Sequence, residues 1–118
     1  MKHNIAIIDE SAENAELLSK LLPCQYELVL ITPYKDSTDV RSFKDKEIVF
    51  INMDKNQSLY FTLFKAIKSE YFDCKIVWMS KKSGSALTAF EEHADAFMLL
   101  PINNERIIEV FKRLSRIN

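Results

Sequence analysis

The stretch "EIVFIN", residues 47–52, indicates the kind of fold that this chain takes. Four consecutive apolar residues, 48–51, do not alternate with polar ones, which is typical of a strand covered on both faces of a parallel sheet. The run ends directly at Asn52. Because ligands of parallel α/β folds bind beyond the carboxyl ends of the strands, the stretch predicts a buried strand with an amide side chain at a functionally important position.

Apolar runs of the same kind recur along the chain and alternate with helical patterns. The other runs are "IAII" (5–8), "ELVLI" (27–31), "IVWM" (76–79) and "FMLL" (97–100). The helical patterns are a first helix capped by Ser11, a weaker short helix over 36–45, a third helix around Tyr60 and Phe64, a fourth around Leu87 and Phe90, and a last one around Ile107 and Phe111. This alternation predicts a (βα)₅ three-layer α/β sandwich with right-handed crossovers around a five-stranded parallel sheet. We expect residues 1–118 to form a single domain.

Composition excludes several classes of function. With a net charge of −1 the chain has no basic excess with which to bind nucleic acid or an anionic membrane by itself. Gly84 is the only glycine, so a glycine-rich phosphate loop of the Walker or dinucleotide type cannot be built. No apolar run approaches the length of a membrane span. Cys24 and Cys74 stand alone in the sequence, which favours two buried thiols in a cytoplasmic protein.

Polar residues follow or end several of the predicted strands. Asp9 and Glu10 follow the first strand, Asn52 ends the third and Ser80 follows the fourth, whereas Leu100 ends the fifth. Because the carboxyl ends of parallel strands meet at one edge of the sheet, we expect these five residues to lie together.

This pattern resembles the active site of response-regulator receiver domains along essentially the whole chain. The segments that carry the resemblance are "IAIIDES", "EIVFIN", "KIVWMS" and "HADAFMLLPI". The resemblance implies a CheY-like, flavodoxin-like fold with strand order 2-1-3-4-5. It also implies a regulatory domain in which an acid pair, here Asp9 and Glu10, holds Mg²⁺ beside an aspartate that accepts a phosphoryl group from a histidine kinase. The segment "SALTAFEEHADAFMLLPI" is similar to the LytTR-type branch, where a DNA-binding domain follows the receiver.

The sequence departs from the family's pattern at two positions. The family's acceptor aspartate falls on Asn52, and the lysine that the family carries at the tip of strand 5 falls on Leu100. An amide has no anionic oxygen that could attack phosphorus, and Leu100 supplies no cation to hold a phosphoryl group. The family's pocket has three carboxylates and one ammonium group, a formal charge of −2. Asp9 and Glu10 alone give the same expected charge. We therefore interpret the chain as a pseudo-receiver, a non-enzymatic binding module in which Mg²⁺ binding at Asp9 and Glu10 is weak or vestigial.

Two alternatives remain open from the sequence. Asp54 could serve as the phosphoacceptor with Mg²⁺, although a carboxylate in this loop is more simply a solvated acid. A small flavodoxin-like enzyme is the more remote alternative, because the loop "DESAEN" (9–14) is acidic and lacks glycine where a phosphate would need free backbone amides.

The resemblance also assigns a switch and an interface. Ser80 stands at the hydroxyl position of strand 4 and Phe97 at the aromatic position of strand 5. We expect Phe97 to be turned inward and mostly buried, since phenylalanine has no hydroxyl that exposure would reward. The face made by the fourth helix, strand 5 and the last helix is then expected to form a homodimer, and DNA is contacted only through a separate output domain, if one exists.

Overall fold

The computed structural model describes residues 3–31, 39–54 and 56–115, and its described part is built around one parallel sheet. The strands are β1 (His3–Ile8), β2 (Tyr26–Ile31), β3 (Ile48–Asn52), β4 (Lys75–Ser80) and β5 (Ala96–Leu99). All neighbouring pairs are parallel, and the order is β2-β1-β3-β4-β5. The predicted five-stranded sheet and its strand order are confirmed.

The described helices are α1 (Ala12–Leu21), α2 (Gln57–Glu70), α3 (Ser85–Glu91) and α4 (Asn104–Ser115). Ser11 caps α1 as expected, because its Oγ accepts a hydrogen bond from the Glu13 amide at 3.2 Å. Residues 36–38 of the helix predicted over 36–45 lie outside the described part, and the described remainder forms a 3₁₀ helix, Val40–Phe43. No helix in the described ranges has both the length and the apolar character needed to cross a bilayer.

The apolar runs do not alternate because helices cover both faces of the sheet. One side of the sheet packs against α1 and α4. The cluster on this side includes the strand residues Ile5, Phe50, Val77 and Met98 and the helix residues Leu18 and Ile107. Ile8, Ile51 and Trp78 point to the opposite side, where they pack with residues of α2, of α3 and of the 3₁₀ helix. The central strands β1, β3 and β4 are therefore buried on both faces, as the sequence predicts. The same expectation is wrong for β2, because this strand lies at the edge of the sheet and leaves Val29 and Leu30 exposed.

The structure changes two details of the sequence-based expectations. Cys74 is buried as expected, but Cys24 is exposed, because it lies in the turn between α1 and β2 rather than in either element. Strand β5 ends at Leu99, so Leu100 follows the strand. The Leu100 amide still donates to the Ser80 carbonyl at 2.8 Å, which keeps this residue at the edge of the sheet next to β4.

Candidate functional site

Strand register brings the residues at the strand ends together. Ile8 pairs with Ile51, Asn52 with Met79, and Ser80 with Leu99. The carboxyl ends of the four strands β1, β3, β4 and β5 therefore lie side by side. The expectation that Asp9, Glu10, Asn52, Ser80 and Leu100 share one edge of the sheet is confirmed for their backbone positions.

Asn52 is the central side chain of this edge. It is the last residue of β3 and is buried. Its Nδ2 donates to Asp9 Oδ2 at 3.1 Å, and its Oδ1 accepts from the Asp54 amide at 3.1 Å. Asn52 therefore contacts one member of the acid pair, in keeping with the expectation that these residues lie together. An amide can donate to one neighbour and accept from another at the same time, which a carboxylate cannot do.

Asp9 is a buried carboxylate surrounded by hydrogen-bond donors. Its side chain is only 1% exposed. Oδ1 accepts from the Ser11 amide at 3.0 Å, and Oδ2 accepts from Asn14 Nδ2 at 2.8 Å as well as from Asn52. The contribution of Asn14 was not predicted. Its position in the first turn of the helix that follows Asp9 is the signal that could have pointed to it.

Glu10 has a different environment from its neighbour Asp9. Glu10 is exposed, and its Oε1 accepts a hydrogen bond from the buried Tyr60 hydroxyl at 3.2 Å. Burial raises the pKa of Tyr60 well above its ordinary value, and the negative charge of Glu10 raises it further. The sequence places Tyr60 on a helical stripe, and such a stripe does not show that its hydroxyl reaches the acid pair 50 residues away.

The described side chains do not fit a complete magnesium site. Mg²⁺ prefers near-octahedral oxygen coordination, which carboxylates usually anchor. A cation at Asp9 would compete with Asn14 and Asn52 for the same oxygen. Within residues 3–31, 39–54 and 56–115, no three side chains of the His, Cys, Asp or Glu type form a group that could hold a metal ion. Asp9, Glu10 and Asp54 are therefore not assembled as such a group.

The expectation that Asp54 is a solvated loop acid is wrong. Its Oδ1 accepts from Ser80 Oγ at 2.6 Å, and its Oδ2 accepts from the Lys81 amide at 2.8 Å. The expected count of two carboxylates at this edge is wrong for the same reason, because Asp54 adds a third. Neutral donors, a hydroxyl and a peptide N–H, hold this third carboxylate in place of an ammonium group.

Leu100 and Phe97 lie on opposite faces of the sheet. Leu100 is 5% exposed and belongs to the apolar cluster beneath α1 and α4, so an aliphatic side chain stands where the resembled family has a lysine. Phe97 pairs with Trp78 across β4 and β5 and packs against the cluster beneath α2 and α3. It is partly rather than mostly buried, and it also lines a groove of about 230 Å³ with Phe90 and Arg113.

Comparison with solved structures shows the fold of this chain. It superposes on the response regulator DrrB from Thermotoga maritima with a TM-score of 0.75 at 17% identity, covering 98% of this chain and 54% of that one. The chain thus spans about half of DrrB. It is similarly close to the chemotaxis response regulator CheY4 of Vibrio cholerae, with a TM-score of 0.72 at 16% identity, covering 97% of this chain and 99% of that one.

A pilus assembly-related protein from Burkholderia pseudomallei shares the same architecture. Its TM-score is 0.73 at 12% identity, with 97% of this chain and 90% of that one covered. No protein-family model matches the sequence, and comparison with curated proteins gave no match either. The chain has the receiver-domain fold of two-component response regulators, and similarity at this level of identity concerns the fold alone.

Proposed function

We propose that this chain is a pseudo-receiver, a cytoplasmic regulatory module that acts through protein contacts and carries no phosphorylation cycle. The observation that carries the proposal is the amide of Asn52 at the carboxyl end of β3, hydrogen bonded to Asp9 at 3.1 Å. In the family that the sequence resembles, this position holds the carboxylate that attacks phosphorus. A neutral amide is a poor nucleophile, so Asn52 cannot form an acyl phosphate.

A second strand-end position supports the same proposal. The position of the family's lysine is occupied by Leu100, a buried side chain within an apolar cluster. Phosphoryl transfer depends on cations that neutralise the charge on the transferred group. The described residues offer neither the family's lysine ammonium at this position nor a group of acids suited to a metal ion.

The second candidate is phosphorylation of Asp54, and its contact with Ser80 is the observation that favours it. Ser80 stands at the position whose hydroxyl contacts phosphoryl oxygens in the resembled family. Against this candidate, both oxygens of Asp54 already accept hydrogen bonds. These hydrogen bonds draw electron density from both oxygens and weaken them as nucleophiles, and no group of acids suited to a metal ion lies among the described residues.

The partner surface that we propose is the α3–β5–α4 face, defined by Leu87, Phe90, Phe97 and Arg113. Leu87 is 69% and Phe90 is 40% exposed, and the Arg113 guanidinium lies 4.7 Å from the centre of the Phe90 ring. Aromatic residues and arginine are enriched at the energetically important positions of protein interfaces. We propose that a second copy of the chain binds here and that any DNA contact belongs to an attached or partner output domain of the LytTR type.

Intact-mass measurement after incubation with acetyl phosphate and Mg²⁺ tests the absence of a phosphorylation cycle. We expect the wild-type protein to gain no acid-labile phosphoryl adduct. The matched variants are Asp54→Asn, which removes the rival acceptor, and Asn52→Asp, which restores a carboxylate at the end of β3. An adduct on the wild type that disappears in Asp54→Asn would overturn the proposal and establish Asp54 as the acceptor.

A further inference from the structure

The loop after β4 is arranged around a carboxylate. Ser80 Oγ donates to Asp54 Oδ1 at 2.6 Å, and the Lys81 amide donates to Asp54 Oδ2 at 2.8 Å. The Lys82 amide in turn donates to Ser80 Oγ at 3.0 Å. Since the hydroxyl accepts from Lys82, its own proton is left to point at Asp54. The two donors to Asp54 therefore converge on the two oxygens of one anion.

The hydroxyl donor is shielded, and its anion is fixed in position. Ser80 is 1% exposed, so water competes little for its hydroxyl. On the other side, the Asp54 amide donates to Asn52 Oδ1 at 3.1 Å, and the Met53 amide donates to the Met79 carbonyl at 3.0 Å. The backbone of Asp54 is thus held beside β4, and its side chain needs no cation to remain in contact with the loop.

We propose that Ser80 Oγ and the Lys81 amide form a binding site for a small oxyanion, and that the chain keeps this site filled with the carboxylate of Asp54. The β4–α3 loop is then held in its anion-bound arrangement without covalent modification. The inference rests on the proposed function, because a domain with no acceptor at Asn52 produces no phosphoryl group of its own to occupy these donors. Hydrogen bonds between such donors and an ionised acceptor are shorter and stronger than neutral ones, which favours a carboxylate over water at this position.

The proposal predicts that removing the side chain of Asp54 opens the site to an external anion. In ¹⁵N-labelled Asp54→Ala, the Lys81 amide proton loses its carboxylate partner, so we expect its resonance to move upfield more than any amide outside residues 53–55 and 80–82. Inorganic phosphate, added at constant ionic strength, should then move it back downfield with a saturable dependence in the millimolar range. Wild-type protein should not respond. Asp73→Ala, which removes an exposed acid before β4, is the matched control and should behave like wild type.

Two further variants keep the test decisive. Asp54→Asn retains the shape of the side chain and replaces Asp54→Ala if the latter does not fold; its neutral side chain should still allow a weaker phosphate response. Adding Ser80→Ala to Asp54→Ala should reduce phosphate affinity at least several-fold. An unchanged Lys81 resonance in the Asp54 variants, or equal phosphate responses of variant and wild type, would overturn the inference, as would a folded variant that does not respond to phosphate. No phosphodonor is used, so a phosphoryl adduct on the wild-type protein would refute the proposed function alone.

Discussion

At the scale of single residues, Asn52 determines how the acids at the sheet edge coexist. Its buried Nδ2 donates to Asp9 while its Oδ1 receives the Asp54 amide. A carboxylate at position 52 could still accept from Asp54, but it would face Asp9 as a like charge. The same substitution that restores the family's acceptor should therefore destabilise the metal-free protein.

We predict that Asn52→Asp lowers the free energy of unfolding by about 1–3 kcal/mol in the absence of divalent metal, because a buried acceptor loses its donor. Millimolar Mg²⁺ should recover part of this loss and stabilise the variant more than the wild type. Urea denaturation with and without Mg²⁺ measures both effects. Asn103→Asp is the matched control, since Asn103 is exposed and its Oδ1 only accepts from the Arg106 amide. A Mg²⁺ effect on wild type as large as that on the variant would contradict the prediction.

Leu100 gives the corresponding prediction for the lost cation. Because Leu100 is buried within an apolar cluster, Leu100→Lys should cost roughly 3 kcal/mol of stability by introducing an unpaired charge. Leu17→Lys, at a 38% exposed position of α1, should change stability by only about 0.5 kcal/mol. In the double variant with Asn52→Asp, the loss of stability should be smaller than the sum of the two single losses by about 0.5–3 kcal/mol if the new charges interact. Additive losses would show that they do not.

Tyr60 provides a pH-dependent prediction. Burial, and secondly the charge of Glu10, raise the pKa of Tyr60 in the folded protein above its unfolded value of about 10. The unfolded chain therefore releases this proton first, so the contribution of Tyr60 to stability is complete below about pH 10 and is lost as the pH rises above it. Urea denaturation at about pH 8 and about pH 11 should show a smaller loss for Tyr60→Phe than for wild type. Tyr26→Phe is the control, and an equal loss in wild type and Tyr60→Phe would refute the assignment.

At the scale of secondary-structure elements, the sequence predicts the central strands well because burial on both faces leaves unbroken apolar runs, and the edge strand β2 keeps such a run although Val29 and Leu30 are exposed. Every strand was found within two residues of its predicted bounds, and α1 begins at its predicted cap. The helix predicted over 36–45 was the weakest pattern, and its described part is a single 3₁₀ turn. At the site, sequence order identified which residues share the edge, but not the hydrogen bonds of Asn14, Tyr60 or Asp54. Those contacts depend on rotamers and loop paths that no periodicity encodes.

Asp95 makes further contacts of this kind, which link α2, β4 and the start of β5. Its Oδ2 accepts from Lys68 Nζ in α2 at 2.9 Å and from the Ile76 amide in β4 at 2.7 Å, just before β5 begins. Asp95→Ala would leave a partly buried amide and ammonium without this acceptor, so we predict a loss of about 2–3 kcal/mol. Lys68→Met should cost less, because the bond to Ile76 remains. Thermal and urea denaturation measure both variants.

An exposed ion pair supplies the control for Asp95. Lys112 and Glu109 are 3.9 Å apart and both largely exposed, so Glu109→Ala should change stability by about 0.5 kcal/mol or less. If Asp95→Ala were as mild as Glu109→Ala, the link between α2, β4 and β5 would contribute little to the fold.

At the scale of the whole molecule, the site and the α3–β5–α4 face are joined by short connections. Ser80 and the loop that holds Asp54 lead directly into α3, which carries Leu87 and Phe90. Phe97 lies in β5 beside Trp78 of β4 and lines the groove under Phe90. A β4–α3 loop fixed by an internal carboxylate would therefore present this face in one arrangement, which suits a constitutive interface better than a switched one.

The proposed homodimer makes this reasoning testable. We predict that wild-type protein associates with increasing concentration and that Leu87→Glu abolishes the association, because it places a charge at the centre of an interface that would have to be desolvated. Phe72→Glu is the matched control, since Phe72 is 79% exposed but lies in the turn between α2 and β4 and is not one of the four residues that define the face. Sedimentation velocity over a wide concentration range measures the equilibrium, and circular dichroism checks that both variants fold. Because three of the four residues that define the face are apolar and only Arg113 is charged, added salt should weaken the dimer little. A wild-type protein that remains monomeric throughout would rule out self-association, and equal dissociation by both variants would place the interface elsewhere.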